Sequence, residues 1–336
     1  MIKGTIFIGI PAYNEEDLIQ TVESCISKSV FPNNLTFGIA MQYTDKNFPD
    51  FKQYPNVKVV HIPEEAPYGT SPTRALAASL RRDEEYFLSI DAHTLFKSNW
   101  DAELISAYKQ LETMAKKPVI STYTPFWYKD VNNKILNQIG KEDLEASFPM
   151  INLRFKTLED QPEDQFIIPS PTWGLEVKDP FIEHHLVSAG FIFSKLSFLD
   201  DVPFDTLLPY YEENTTALRA WTRGYRMFAI NKDVLWTREM FRGKDTPNSW
   251  RQHMGFKDKT SNTFHEKIIK GSLRCKDILT GKILGMYGSP TLALLNEYEK
   301  NANIDYVSVY NDMRDRTLNS TPSIVKEMFD LEQELK

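Results

Sequence analysis

Apolar runs of strand length alternate with helix-length patterns through the first third of the 336-residue chain, and that alternation dictates a parallel sheet with helices on its faces. TIFIGI (5–10) reads as a strand. Asn14 follows as a candidate helix cap, with Leu18, Val22, Cys25 and Ile26 at helical spacing behind it. LTFGIAM (35–41) and VKVVHI (57–62) read as strands, SPTRALAASLRR (71–82) as a helix with Pro72 in its first turn, and YFLSI (86–90) as the next strand. Ligands of such sheets bind beyond the carboxyl ends of the strands. Three polar clusters fall there: PAYNEE, QYTD and DAH.

Beyond a polar, Pro-dotted stretch at 132–180 come HLVSAGFIFS, a helix near ENTTALRAWTRG, and YRMFAI as a strand. From Asn262 onward the pattern is mostly helical, with Ser289 expected to cap YGSPTLALLNEYEK ahead of Pro290. No internal repeat or low-complexity segment interrupts this order.

Apolar residues make up 41% of the chain, enough for a sizeable core. With 39 basic and 46 acidic residues the formal charge is −7, which gives no general attraction to nucleic acid or anionic lipid. The distribution is uneven. Residues 219–282 hold 15 basic and 6 acidic side chains, interleaved with Trp221, Tyr225, Trp236, Phe241, Trp250 and Phe256. Such a segment suits phosphate contacts and base stacking, or equally forms a basic face answering the acidic remainder. Cys25 and Cys275 form neither a disulfide framework nor a zinc spacing. The start lacks a signal-peptide pattern, and no apolar run approaches the ~18 residues of a membrane helix, so a soluble cytoplasmic protein without a membrane partner is expected.

The run YFLSIDAH ends a buried strand in an acid and an imidazole, Asp91 and His93. On an extended segment residues i and i+2 point the same way, so the pair can present an oxygen and a nitrogen to one ion. Their chemistry suits Mn²⁺, Fe²⁺ or Zn²⁺, and a site open to phosphate oxygens favours Mn²⁺ or Mg²⁺. An Asp–His hydrogen bond in a loop is the other reading.

The pieces GIPAYNEE, YGTSPTRALAASL, YFLSIDAHTLFKSNWD, SAGFIFS, YEENTTALRAWTRGYRMFA and ILGMYGSPTLALLNEYEKNANID, spanning Gly9 to Asp305 in order, resemble nucleotide-sugar glycosyltransferases of the GT-A type. The likeness is to the GlcNAc-transferase family typified by cytoplasmic enzymes that glycosylate hydroxyproline, and more distantly to the polypeptide GalNAc-transferases. The resemblance implies an α/β GT-A fold, a Rossmann-like mixed sheet flanked by helices. It divides the chain into a catalytic domain, residues 1–260, and a helical C-terminal region, 261–336, packed on it.

By the same resemblance Pro11, Ala12, Tyr13 and Glu15 line a uridine pocket, with Asp45 a further contact, and Arg74 faces the donor diphosphate. Asp91 and His93 hold a divalent ion, Mn²⁺ ahead of Mg²⁺, on that diphosphate. Glu212 and Glu213 lie beside the donor sugar, where an acid can orient a hydroxyl, accept a proton, or merely favour the helix dipole. Trp173, Gly174, Ser188 to Gly190 and Trp221 are candidate walls of the sugar pocket, although an aromatic in a core reads the same. The family's third metal ligand, a histidine after the late strand, is missing from VLWTREMFRGK. Arg242 keeps the arginine of that motif, and His253, ahead of Glu239, is the candidate replacement. His61, His184, His185 and His265 read as surface or packing residues.

The expected activity is retaining transfer of a sugar, GlcNAc by resemblance, from a UDP-sugar to a protein hydroxyl on hydroxyproline or Ser/Thr. The rival acceptor is a hydroxymethylated base in DNA, motivated by the basic segment. A non-catalytic binding module is the third reading.

Overall fold

The computed structural model describes residues 4–43, 49–63, 68–138, 140–145, 150–155, 171–210, 212–238, 262–317 and 324–335. β1 (Ile6–Tyr13) leads through α1 (Leu18–Ser27) to β2 (Leu35–Gln42) and β3 (Val57–His61), and α2 (Thr70–Ala78) precedes β4 (Tyr86–Ile90). β1 pairs in parallel with β2 and β4, and β2 with β3. The chain therefore crosses from β3 past β1 to reach β4, and the strand order reverses between β1 and β4. The crevice beyond their carboxyl ends is where such sheets take ligands. Alternate residues of β1 feed opposite faces: Ile6, Ile8 and Ile10 join one apolar cluster and Phe7 the other.

β5 (Thr94–Phe96) and α3 (Trp100–Leu111) follow, then β6 (Pro118–Ile120), β7 (Phe126–Lys129), β8 (Ile135–Asn137), β9 (Ile151–Phe155) and β10 (Pro171–Glu176). β11 (Phe181–His184), β12 (Phe191–Lys195), α4 (Phe198–Asp201), α5 (Glu212–Trp221), β13 (Arg226–Ile230) and β14 (Leu235–Arg238) complete the α/β part. The main sheet runs β11-β13-β6-β12-β4-β1-β2-β3, and β12 lies antiparallel to both β4 and β6, so the sheet is mixed. A smaller sheet, β5-β14-β7-β8, stands beside the end of β4.

The C-terminal helices are α6 (Asn262–Leu279), α7 (Leu292–Ala302), α8 (Tyr306–Thr317) and α9 (Ile324–Glu334). Ile268, Leu273, Tyr298, Tyr306 and Met328 from these helices share one buried cluster with Phe7, Phe87, Leu218 and Trp221. The expected division at 260/261 falls outside the described residues.

Two local expectations change. β1 continues to Tyr13, in register with Gln42, so the PAY triplet is strand and not turn. Asn14 then takes a left-handed φ of 47°, which Asn tolerates, and its amide bonds to Gln42 O at 2.9 Å; α1 starts only at Leu18. Asn14 is no helix cap. At α7 the cap is Thr291, whose hydroxyl accepts from the Leu294 amide, while the Ser289 hydroxyl donates to Thr291 O.

Candidate active site

Asp91 is the first residue past β4, and residues 91–93 turn into β5, so the argument from an extended segment does not apply to this pair. Each side chain is instead held by its own partner. Asp91 Oδ1 accepts from Arg74 Nη2 at 2.5 Å, and Arg74 Nη1 donates to Ser89 Oγ at 2.8 Å and Ile90 O at 3.2 Å. Burial opposes ionisation of Asp91, but the Arg74 guanidinium, then the His93 ring, outweigh it and hold the carboxyl below its usual range. Arg74 itself is only 5% exposed, and its Nε lies 3.6 Å from Glu212 Oε1. Arg74, expected to face a donor diphosphate, here has its fork turned into Asp91 and the backbone of β4.

His93 Nδ1 lies 2.9 Å from Glu15 Oε2, and the Glu15 backbone is braced by the Tyr43 hydroxyl, which donates to Glu15 O at 2.6 Å. The imidazole is perturbed upward: burial lowers its pKa, and the Glu15 charge and hydrogen bond more than reverse this. The His93 carbonyl accepts from Trp127 Nε1 at 3.1 Å and from the Arg238 amide at 3.0 Å, fixing the turn to β7 and β14. Next to Glu15, Asp17 is 1% exposed and its carboxylate grips Lys129 Nζ at 2.5 Å and the Arg238 guanidinium. The Glu15 carboxylate, expected in a uridine pocket, thus lies at the imidazole. Lys129, Arg238 and Asp17 escaped the sequence reading because nothing in their spacing announces that β7 and β14 flank the end of β1.

The bridge Ser188 to Phe191 brings Gly190 against Asp91. A Cβ added at Gly190 would fall 2.5 Å from Asp91 Oδ2. Only glycine permits this approach. Gly190→Ala is therefore expected to push against the carboxylate and lower stability by about 1–3 kcal/mol in denaturant titrations, the usual cost of overpacking. Unchanged stability in Gly190→Ala would mean that Asp91 need not occupy this position.

The two acids of α5 differ. Glu212 is 6% exposed, its Oε2 accepts from the Thr70 hydroxyl at 3.0 Å, and its other oxygen faces Arg74. Glu213 Oε1 accepts from the Ala189 amide at 2.8 Å, beside Gly190. Burial, then the Glu212 charge, pushes the Glu213 carboxyl up to about 8. Burial also raises Glu212, against the opposing Arg74 charge. The loop entering α5 is clamped on α2, since the Thr70 amide bonds to Pro209 O at 2.9 Å and Gly69, at φ 106°, has Pro209 Cα where a Cβ would go.

Pro11, Ala12 and Tyr13 form the carboxyl end of β1; Ala12 is 2% exposed and buried in the core, so it has only backbone to offer a ligand. Trp173 belongs to β10, and its side chain lies outside the described structure. Asp45, Glu239, Arg242 and His253 lie outside the described residues. Trp221, expected in a sugar-pocket wall, is a core residue: it is 5% exposed, meets the Tyr298 ring at 5.6 Å and carries the Arg226 guanidinium on its face. His184 packs as expected, with Nε2 at Ser121 O and Nδ1 accepting from the Leu186 amide, and burial lowers its pKa to about 4.

Among the described residues, several cations of the basic segment are consumed internally. Arg219 is fully buried and bonds to Thr215 O and Pro203 O, and Arg223 donates to the carbonyls of Gly285, Met286 and Gly288. Arg274 pairs with Asp205 at 2.8 Å, and Lys276 and Lys282 share Glu332. Trp236 and Tyr225 are core residues. Arg219, Arg223 and Arg274 are thus committed to protein partners, while Arg242, Lys244, Arg251, Lys257 and Lys259 lie outside the described residues.

Among the described residues no group of three or more His, Cys, Asp or Glu side chains could hold a metal. Two donors remain suitable. With Arg74 on Oδ1 and Glu15 on Nδ1, Asp91 keeps Oδ2 and His93 keeps Nε2, a carboxylate and an imidazole of which 35% and 18% is exposed. A two-ligand protein site completed by phosphate oxygens and water fits Mn²⁺ or Mg²⁺.

Comparison with known proteins agrees with this architecture. No curated protein matches the chain. Among solved structures, GalNAc-T7, crystallised with UDP, GalNAc and Mn²⁺, superposes with a TM-score of 0.51 at 12% identity, covering 92% of this chain and 57% of its own. TarS of S. aureus, residues 1–349 in complex with UDP-GlcNAc, gives a TM-score of 0.44 at 11% identity, with 81% of this chain and 66% of that one covered. This chain thus spans little more than half of GalNAc-T7, and the likeness is one of GT-A fold. The family model described as Glycosyltransferase (GlcNAc) matches residues 50–307, a span that holds Arg74, Asp91, His93, Gly190 and both glutamates of α5, and the chain belongs to that glycosyltransferase family.

Proposed function

We propose that the chain transfers a sugar from a UDP-sugar to an acceptor hydroxyl, with a divalent metal, Mn²⁺ ahead of Mg²⁺, held by Asp91 and His93. One observation carries this reading: Asp91, His93, Gly190 and Glu213 meet at the β1/β4 crevice of a chain from a glycosyltransferase family. When bound, the metal neutralises charge that develops on the departing diphosphate. Asp91 offers Oδ2, and Glu15 fixes the His93 ring so that Nε2 is the free nitrogen. The end of β1, Pro11 to Tyr13, borders the uridine. Glu213, whose other oxygen stays on the Ala189 amide, presents Oε2 to the reacting hydroxyl as a group that can give and take a proton, a role that its raised carboxyl pKa suits near neutral pH.

The donor sugar is GlcNAc and the configuration is retained, in keeping with the family. The acceptor is a protein hydroxyl, on hydroxyproline or on Ser/Thr, and the internal pairing of the described cations speaks against DNA. Among the described residues no helix is long and apolar enough to cross a membrane. A panel of UDP-sugars offered with hydroxyl-bearing peptides and with hydroxymethylated DNA, read by mass spectrometry with Mn²⁺ and with chelator, tests all of this. Metal-dependent hexosamine addition to peptide is expected. Transfer to DNA alone would replace the acceptor, and no transfer from any UDP-sugar would reject the reading.

A further inference from the structure

Arg74 is a buried cation whose every nitrogen faces protein. Nη1 is held by Ser89 Oγ and Ile90 O, Nη2 by Asp91 Oδ1, and Nε points at Glu212 Oε1, 3.6 Å away, without a full hydrogen bond. Ser89 Oγ in turn donates to Ala189 O at 2.9 Å, in the segment that brings Gly190 against Asp91 and gives Glu213 its amide partner. Glu212 is tied on its far side to Thr70, one turn before Arg74 in α2. One guanidinium therefore joins α2, β4, the 188–190 turn and α5.

A charge this deeply buried is retained only if its partners are fixed, since losing one leaves the other uncompensated. The consequence lies at Asp91. Oδ1 is committed to Nη2 and Oδ2 is set against Gly190, so Oδ2 is the one carboxylate oxygen without a hydrogen-bond partner among the described residues.

We propose that Arg74 is a positioning residue and not a donor ligand: wedged between Ser89, Ile90 and Glu212, its planar fork locks Asp91 so that a single carboxylate oxygen, Oδ2, meets the metal. Glu212 belongs to this clamp, as the counter-charge that keeps Arg74 in place, which leaves Glu213 as the acid of the pair that acts on the sugar. Lysine cannot substitute, because a point charge cannot bond Ser89, Ile90 and Asp91 in one plane. This inference rests on the metal site proposed above and deepens it.

The test is the Mn²⁺ affinity of the protein in saturating UDP, measured by electron paramagnetic resonance, together with UDP affinity measured calorimetrically in chelator. Arg74→Gln and Arg74→Lys should each weaken Mn²⁺ binding about tenfold or more, the effect typical of removing a ligand's supporting partner, and Glu212→Gln should weaken it less. Metal-free UDP affinity should not change. Unaltered Mn²⁺ affinity with a loss of metal-free UDP affinity would make Arg74 a diphosphate contact and overturn the proposal. If the Arg74 variants do not fold, Ser89→Ala, which removes one tether of Nη1, should still weaken Mn²⁺ binding, and its failure to do so overturns the proposal equally. Wild-type protein that binds no Mn²⁺ even with UDP bound would instead reject the metal site on which the inference stands.

Discussion

Asp91→Asn is expected to reduce transfer more than about 100-fold, beyond the 10- to 100-fold usual for outer-shell partners of a metal, because it alters a direct ligand. Asparagine is the informative substitution. Its amide oxygen can still accept from Arg74 Nη2, whereas Asp91→Ala would strip the partner from a guanidinium that is 5% exposed. That loss costs about 3 kcal/mol, the low end for such pairs, since 35% of the Asp91 side chain faces solvent. In Asp91→Asn the thermal midpoint should fall only slightly while Mn²⁺-dependent UDP binding disappears from the calorimetric titration. Mn²⁺-dependent UDP affinity equal to wild type in a folded Asp91→Asn protein would remove Asp91 from the metal site.

The fold was legible because its signals are local. Period-two and helical patterns locate β1, α1, β2, β3, α2 and β4, and their alternation alone implies the parallel core and the crevice at its carboxyl end. The errors arose where a distant contact decided a local conformation. Asn14 reads as a cap because Leu18 and Val22 follow it, yet the ladder to β2 runs on to Gln42 and forces Asn14 into the left-handed region. Trp221 reads equally as a pocket wall or a core aromatic, and α7 decides for the core by bringing Tyr298 against it.

The chemistry-bearing residues were legible as types, and their pairing was not. Asp91 and His93 stand out as polar residues at a strand end, but nothing in the sequence says that Asp91 takes Arg74 and His93 takes Glu15. Those partners lie 17 and 78 positions away and are joined by the strand order. The basic segment shows the same limit. Composition counts its cations, and only tertiary structure shows Arg219 buried on carbonyls and Arg274 on Asp205. A charge total carries no information about which charges remain free.

Glu213→Gln should keep UDP affinity and lose transfer by about 100-fold or more, the range for a positioned proton-transfer group. Glutamine can still accept from the Ala189 amide and fills the same space, so a loss of rate would report the acid itself and not a collapsed helix start. The same variant has a second signature. The folded Glu213 carboxyl is raised from 4.5 to about 8, by burial first and by the Glu212 charge second. The folded state therefore holds a proton that the unfolded chain releases, so its stabilising contribution is complete below pH 4.5 and is lost as pH rises towards 8. Wild-type protein should lose stability over that window in denaturant titrations, and Glu213→Gln, which cannot ionise, should show a flatter profile. Full turnover in Glu213→Gln would leave the acid with no role beyond the helix start, and parallel stability profiles would mean that its carboxyl ionises as it does in water.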